Sequence, residues 1–126
     1  MQILNFGKGH MLPTIAGTKK ITLRKYNTIE SLDFKKNEII YGEFQDGLTF
    51  LLHITADTEK KLFSDLTDKE AQEDNFANRQ EAFNGLKLYY PNLQLSDIIA
   101  IIRYEILTLH NIPIVSTNKY SAYHEK

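Results

Sequence analysis

The chain contains no cysteine. That excludes a disulfide framework, a thiolate metal site and a cysteine nucleophile, and it fits a reducing compartment. No apolar run reaches the roughly 18 residues that a membrane-crossing helix needs. The opening residues, Met1 to Phe6, lack the basic stretch and long apolar segment of a secretory leader. The expectation is a cytoplasmic protein with no membrane partner. The four histidines, His10, His53, His110 and His124, are scattered without metal-ligand spacing, so neither a metal nor a cofactor is expected. A large charge of one sign is also missing. The formal net charge of −1 argues against coating long duplexes, which takes many phosphate contacts.

What is present suits one domain. With 126 residues, 42% of them hydrophobic and 25% charged, the chain is long enough to bury one sizeable core without staples. The charge is unevenly placed. From Met1 to Ile29 there are five basic residues (Lys8, Lys19, Lys20, Arg24, Lys25) and no acid, whereas from Asp57 to Glu81 eight acids face four bases. A basic end on a near-neutral protein suits a local anion such as one phosphate or a short RNA.

Along the chain, Ile3 to Phe6 reads as a short strand, broken by Gly7-Lys8-Gly9-His10. Met11 to Ala16 reads as a short helix with Pro13 in its first turn and Gly17 at its end. Lys20 to Arg24 alternates polar and apolar, predicting a half-buried strand with Ile21 and Leu23 inward and Thr22 and Arg24 on the other face. Lys25 to Lys36 reads as a polar loop anchored by Ile29, Leu32 and Phe34. Ile39 to Phe44 and Leu48 to Ile54 predict a hairpin about Gln45-Asp46-Gly47, with a type I′ turn. Thr67 with Glu70 predicts a helix start, and Asn78 with Glu81 another, the second helix running from about Arg79 to Tyr90 before Pro91 stops it. Tyr89 and Tyr90 read as core and helix stop rather than as a base-stacking platform. Asp97 to Leu109, rich in β-branched residues, predicts a long central strand. Strands with inserted helices and no regular βαβ alternation argue for an α+β barrel.

The segment Gly17-Thr18-Lys19-Lys20-Ile21-Thr22-Leu23-Arg24 resembles the ASCH family signature, glycine-x-lysine-x-x-threonine-x-arginine, at every fixed position. Leu66-Thr67-Asp68-Lys69-Glu70-Ala71, the following Asp74 and Phe76, and Tyr90-Pro91 resemble the family in the same order, over about Ile3 to Leu107. The resemblance implies a PUA-like mixed β-barrel with a short helix pair packed beside it. The expected division is a domain over residues 1–109 and a partly frayed C-terminal extension over 110–126. It also implies a cleft between the signature strand and the helix pair that binds RNA or a modified nucleoside.

The residues suit such a site. Gly17 lets the backbone pass close to a ligand. Lys19 precedes the strand and can swing to the face of Thr22 and Arg24, where a lysine, a hydroxyl and a guanidinium together bind and polarise a carbonyl or phosphate. A lysine with lowered pKa can take the proton of a threonine nucleophile. Some small bacterial members of the family remove the acetyl group from N4-acetylcytidine. By that resemblance Lys19, Thr22 and Asp74 are the expected catalytic residues, Asp74 being one methylene shorter than the family's glutamate. Gly17, Lys20, Arg24 and Glu73 are the expected substrate or RNA contacts, Glu73 being the neighbouring alternative to Asp74. The other readings are a non-catalytic RNA-binding or regulatory module and a ribonuclease using the same residues.

Overall fold

The computed structural model describes residues 2–27, 29 and 32–116. The elements are β1 (Ile3–Phe6), α1 (Met11–Ala16), β2 (Ile21–Lys25), β3 (Ile39–Phe44), β4 (Thr49–Ile54), β5 (Glu59–Leu62), α2 (Asp68–Glu73), α3 (Arg79–Lys87), β6 (Ile98–Ile106), β7 (Thr108–Leu109) and β8 (Ile112–Pro113). The main sheet runs β1-β3-β4-β6-β2, with β5 also on β6. The pair β1–β3 is parallel and the others are antiparallel. The result is the anticipated α+β fold, a mixed sheet curled into a half-barrel with α2 and α3 beside it.

The long strand organises everything. Its run Ile99-Ala100-Ile101-Ile102 is buried on both faces, as a continuous apolar run implies for a fully covered strand. Ala100, Ile102 and Tyr104 face the barrel interior with Phe6, Phe44, Phe50, Leu52 and Ile54. Ile99 and Ile101 face the helices, packing with Ile21, Leu23, Phe63, Leu66, Ala71, Ala82 and Leu86. Each fully buried aliphatic side chain contributes about 1.5–3 kcal/mol, so the strand is stabilised from two cores at once. This changes the reading of the signature strand. Thr22 pairs with Ile102 and Arg24 with Ala100, and cross-strand partners point to the same side. Thr22 therefore enters the barrel interior and is buried, rather than lying on an open strand face.

Short-range signals succeed where the cause is local. Thr67 and Glu70 form the reciprocal capping box that opens α2. Asn78 caps α3 by accepting the Glu81 N–H. Gly17 ends α1 at φ 81°, in the left-handed region. The hairpin is present, but its turn differs. Gly47 donates to the Phe44 carbonyl, and of the loop residues Gly47 alone has positive φ, so the connection is a three-residue loop rather than a type I′ pair. This leaves the Asp46 carboxylate free to accept the N–H groups of Gly9 and Met11, capping α1 from a distance.

Other expectations change. The charged stretch Glu59-Lys60-Lys61-Leu62 is a strand because β6 offers it a partner, a pairing no local pattern announces. Leu32 and Phe34 anchor the loop as anticipated, whereas Ile29 is exposed. Of the expected extension, residues up to Ser116 fold back along β4: Leu51 donates to the Ile114 carbonyl and Ser116 to that of Thr49. The last ten residues, 117–126, lie outside the described ones. Among the described residues no helix is long and apolar enough to cross a membrane.

Candidate functional site

The two ends of the main sheet, β1 and β2, share no ladder. Between them lies a cavity of about 150 Å³, lined by Asn5, Phe6 and Gly7 from one edge and Lys19, Thr22, Leu23 and Arg24 from the other. Asp74, Phe76, Leu86, Tyr89 and Tyr90 from the helix side complete it. The volume is well below the roughly 300 Å³ at which drug-sized pockets begin, and suits one small ring or group.

The floor is a buried lysine–carboxylate pair. Lys19 and Asp74 are 3% and 4% exposed, and the Lys19 ammonium donates to the Asp74 carboxylate. The backbone explains their meeting. Lys19 and Asp74 form an isolated antiparallel bridge, and the Lys20 N–H donates to the Glu73 carbonyl at 2.7 Å. Side chains opposite one another across such a bridge emerge close together. Lys19 also donates to the Ile21 carbonyl at 3.0 Å, and the second Asp74 oxygen accepts the Leu23 N–H at 3.1 Å. Burial pushes Lys19 below the ordinary lysine range, opposed by Asp74 and aided by the Arg24 charge. Burial also pushes Asp74 up, against the pull of Lys19 and the Leu23 N–H. Both groups are thus moved toward their uncharged forms.

Arg24 spans the gap. Its Nε donates to Thr22 Oγ1 at 3.2 Å and its Nη2 to the Asn5 carbonyl at 2.6 Å. The guanidinium lies 5.2 Å from the Phe6 ring centroid, over the ring. His10 completes the rim. Its imidazole is held at about 4 by burial first and then by the Lys19 and Arg24 charges, so it is neutral near pH 7.

The structure divides the expected site residues. Lys19, Thr22, Arg24 and Asp74 meet at this cavity. Gly17, Lys20 and Glu73 line a separate depression on the other side of Lys19. Glu73 turns away to pair with Arg103 at 3.3 Å, so of the two adjoining acids it is Asp74 that reaches Lys19. Gly17 ends α1 in the left-handed region, and a Cβ there would meet no protein atom within 4 Å. Among the described residues no group of three His, Asp or Glu gathers as a metal would require.

Sequence reasoning missed Asn5, His10 and the aromatic wall. One signal was available. Gly85 sits inside α3, where glycine costs about 1 kcal/mol relative to alanine, and a Cβ there would lie 2.4 Å from the Phe76 ring. The glycine makes room for that ring.

A half-barrel with a small pocket at its open seam and a helix pair alongside defines the class of fold. Solved structures give it a name: the fold is that of the ASCH domain, as the signature implies. An ASCH domain from Lactobacillus crispatus superposes with a TM-score of 0.61 at 11% identity, over 82% of this chain and 79% of that one. A DUF984 protein from Enterococcus faecalis gives 0.56 at 12% identity, over 76% and 68%. A protein from Pyrococcus furiosus gives 0.51 at 18%, over 86% and 100%. No family model and no curated protein matches the sequence.

Proposed function

We propose that the seam pocket receives the base of a modified nucleoside, free or within RNA, and that Lys19, Thr22 and Asp74 hydrolyse an N-acyl group on it, as on N4-acetylcytidine. The domain doing so is residues 1–109, with 110–126 as its extension. The observation that carries this reading is the buried Lys19–Asp74 pair on the floor of a small, aromatic-walled cavity, beside a threonine hydroxyl.

With a proton resting on Asp74, Lys19 is an amine and a competent base. Thr22 Oγ attacks the acyl carbonyl carbon while Lys19 takes the hydroxyl proton. The C–N bond then breaks, and Lys19 passes that proton to the departing ring amine. Water attacks the resulting ester, its proton goes to Lys19 and then to Thr22 Oγ, and the acid is released. Arg24 holds Thr22 by its Nε and offers its charge to the oxygen that becomes negative.

A second reading has its own support. No hydrogen bond joins Lys19 to Thr22 among the described residues; Lys19 is engaged by Asp74 and Ile21, and Thr22 by Arg24. A pocket that only binds needs no such bond. There Arg24, Lys20 and Lys25 hold phosphates, and Asp74 reads a base edge or a 2′-hydroxyl.

Hydrolysis of N4-acetylcytidine by the purified protein decides between them. Turnover that disappears in Thr22→Val, and in Lys19→Met combined with Asp74→Leu so that no buried charge is stranded, with folding intact, supports the hydrolase. A folded wild-type protein that binds cytidine-containing RNA in a salt-dependent way without turnover overturns it in favour of the binding module.

A further inference from the structure

Two tyrosines stand side by side after α3 and part company. The helix ends at Lys87, and both Tyr89 and Tyr90 donate backbone N–H groups to the Leu86 carbonyl in a tightened last turn. Pro91 forbids another turn, since the residue before proline is pushed out of the helical region. Tyr90 packs against the helix-side core. Tyr89 does not: it is 57% exposed and reaches over the cavity to the end of β1. Its hydroxyl rests so closely on Gly7 that a Cβ there would lie 2.4 Å from Tyr89 Oη. Gly7 therefore seats the Tyr89 ring as Gly85 seats that of Phe76. Two glycines, one on each side of the cavity, each admit an aromatic ring to its wall.

A largely exposed ring aligned on a pocket contributes little to a core. It contributes when a planar group stacks on it, an interaction that accepts any base because every base has a π face. The geometry points to Tyr89 as the roof of the seam pocket and the residue that selects a planar heterocyclic base over an aliphatic amide. This rests on the nucleoside reading of the pocket and adds what makes that pocket choose a ring. Phe6 cannot serve in the same way, because its ring is stacked on Phe44 at 4.4 Å and lies beneath the Arg24 guanidinium.

The test is a titration of cytidine, the product of the proposed reaction, followed by the proton NMR signals of cytosine H5 and H6. Stacking on Tyr89 moves both signals upfield by ring current, in a saturable way. Tyr89→Phe, which keeps the ring, retains the displacement. Tyr89→Leu loses it and weakens binding about tenfold or more. Gly7→Ala, which forces the hydroxyl from its seat, weakens binding too. A folded Tyr89→Leu protein that binds cytidine as tightly as the wild type, with the same displacement, overturns the roof while leaving the nucleoside reading standing. A wild-type protein that binds no cytidine overturns both.

Discussion

The Arg24 guanidinium donates to the Asn5 carbonyl at 2.6 Å, and so joins the two edges of a sheet that do not pair. The same side chain holds Thr22 Oγ1 through Nε. One forked cation thereby closes the barrel and sets the threonine beside the buried pair. Lysine lacks the fork. Arg24→Lys is expected to destabilise by about 1–2 kcal/mol, the worth of hydrogen bonds to a charged donor. Urea midpoints check this, and amide exchange in β1 should speed up.

The Lys19–Asp74 pair is expected to behave as buried pairs do. Removing one partner strands a charge, which costs about 3–5 kcal/mol, whereas replacing both by apolar groups is near neutral. Asp74→Leu alone should be severely destabilised, and Lys19→Met with Asp74→Leu should recover roughly 2 kcal/mol or more of that loss. In Asp74→Leu, Lys19 loses the neighbour that raises its pKa and falls further below its ordinary 10.5. The unfolded chain then binds more protons than the folded one, so stability should rise with pH below that value. Urea unfolding across the pH range measures both effects.

His10 gives a second handle on pH, coupled to that pair through the Lys19 charge. It is held at about 4, against 6.5 in the unfolded chain, chiefly by burial and then by Lys19 and Arg24, with Asp46 opposing them. Between those values the unfolded chain binds a proton that the folded one refuses. The stability His10 leaves intact above pH 6.5 should therefore decline as pH falls toward 4 and level off below. Urea midpoints between about pH 4 and 7.5 should show the decline, and His10→Gln should flatten it.

Gly85→Ala reverses the usual helix rule. Alanine normally gains about 1 kcal/mol over glycine within a helix. Here its Cβ would meet the Phe76 ring at 2.4 Å, and overpacking typically costs about 1–3 kcal/mol. A net loss of stability is expected in thermal unfolding.

The short-range pieces of this protein were legible from its residues. The Thr67–Glu70 capping box, the Gly17 helix stop and the doubly buried β6 each depend on side chains a few positions apart, whose geometry follows from backbone periodicity. The family resemblance pointed to Lys19, Thr22 and Asp74, and these line one cavity. Tyr89 was not legible: adjacent tyrosines read alike, and only Pro91 and the turn before it send one inward and one outward.

What the sequence by itself determined was therefore local: most of the strands and helices, the caps that open α2 and α3, the glycine that ends α1, and which chemistry is on offer. It missed β5 and ran α3 past its end at Lys87. What the tertiary structure decided was who meets whom. Lys19 and Asp74 are 55 positions apart, Asn5 and Arg24 are 19 apart, and Gly7 and Tyr89 come from opposite sides of the cavity. These encounters depend on strand register and on how the sheet curls until its edges approach. Those are set by the packing of two cores against one central strand, a collective property that no short window of sequence contains.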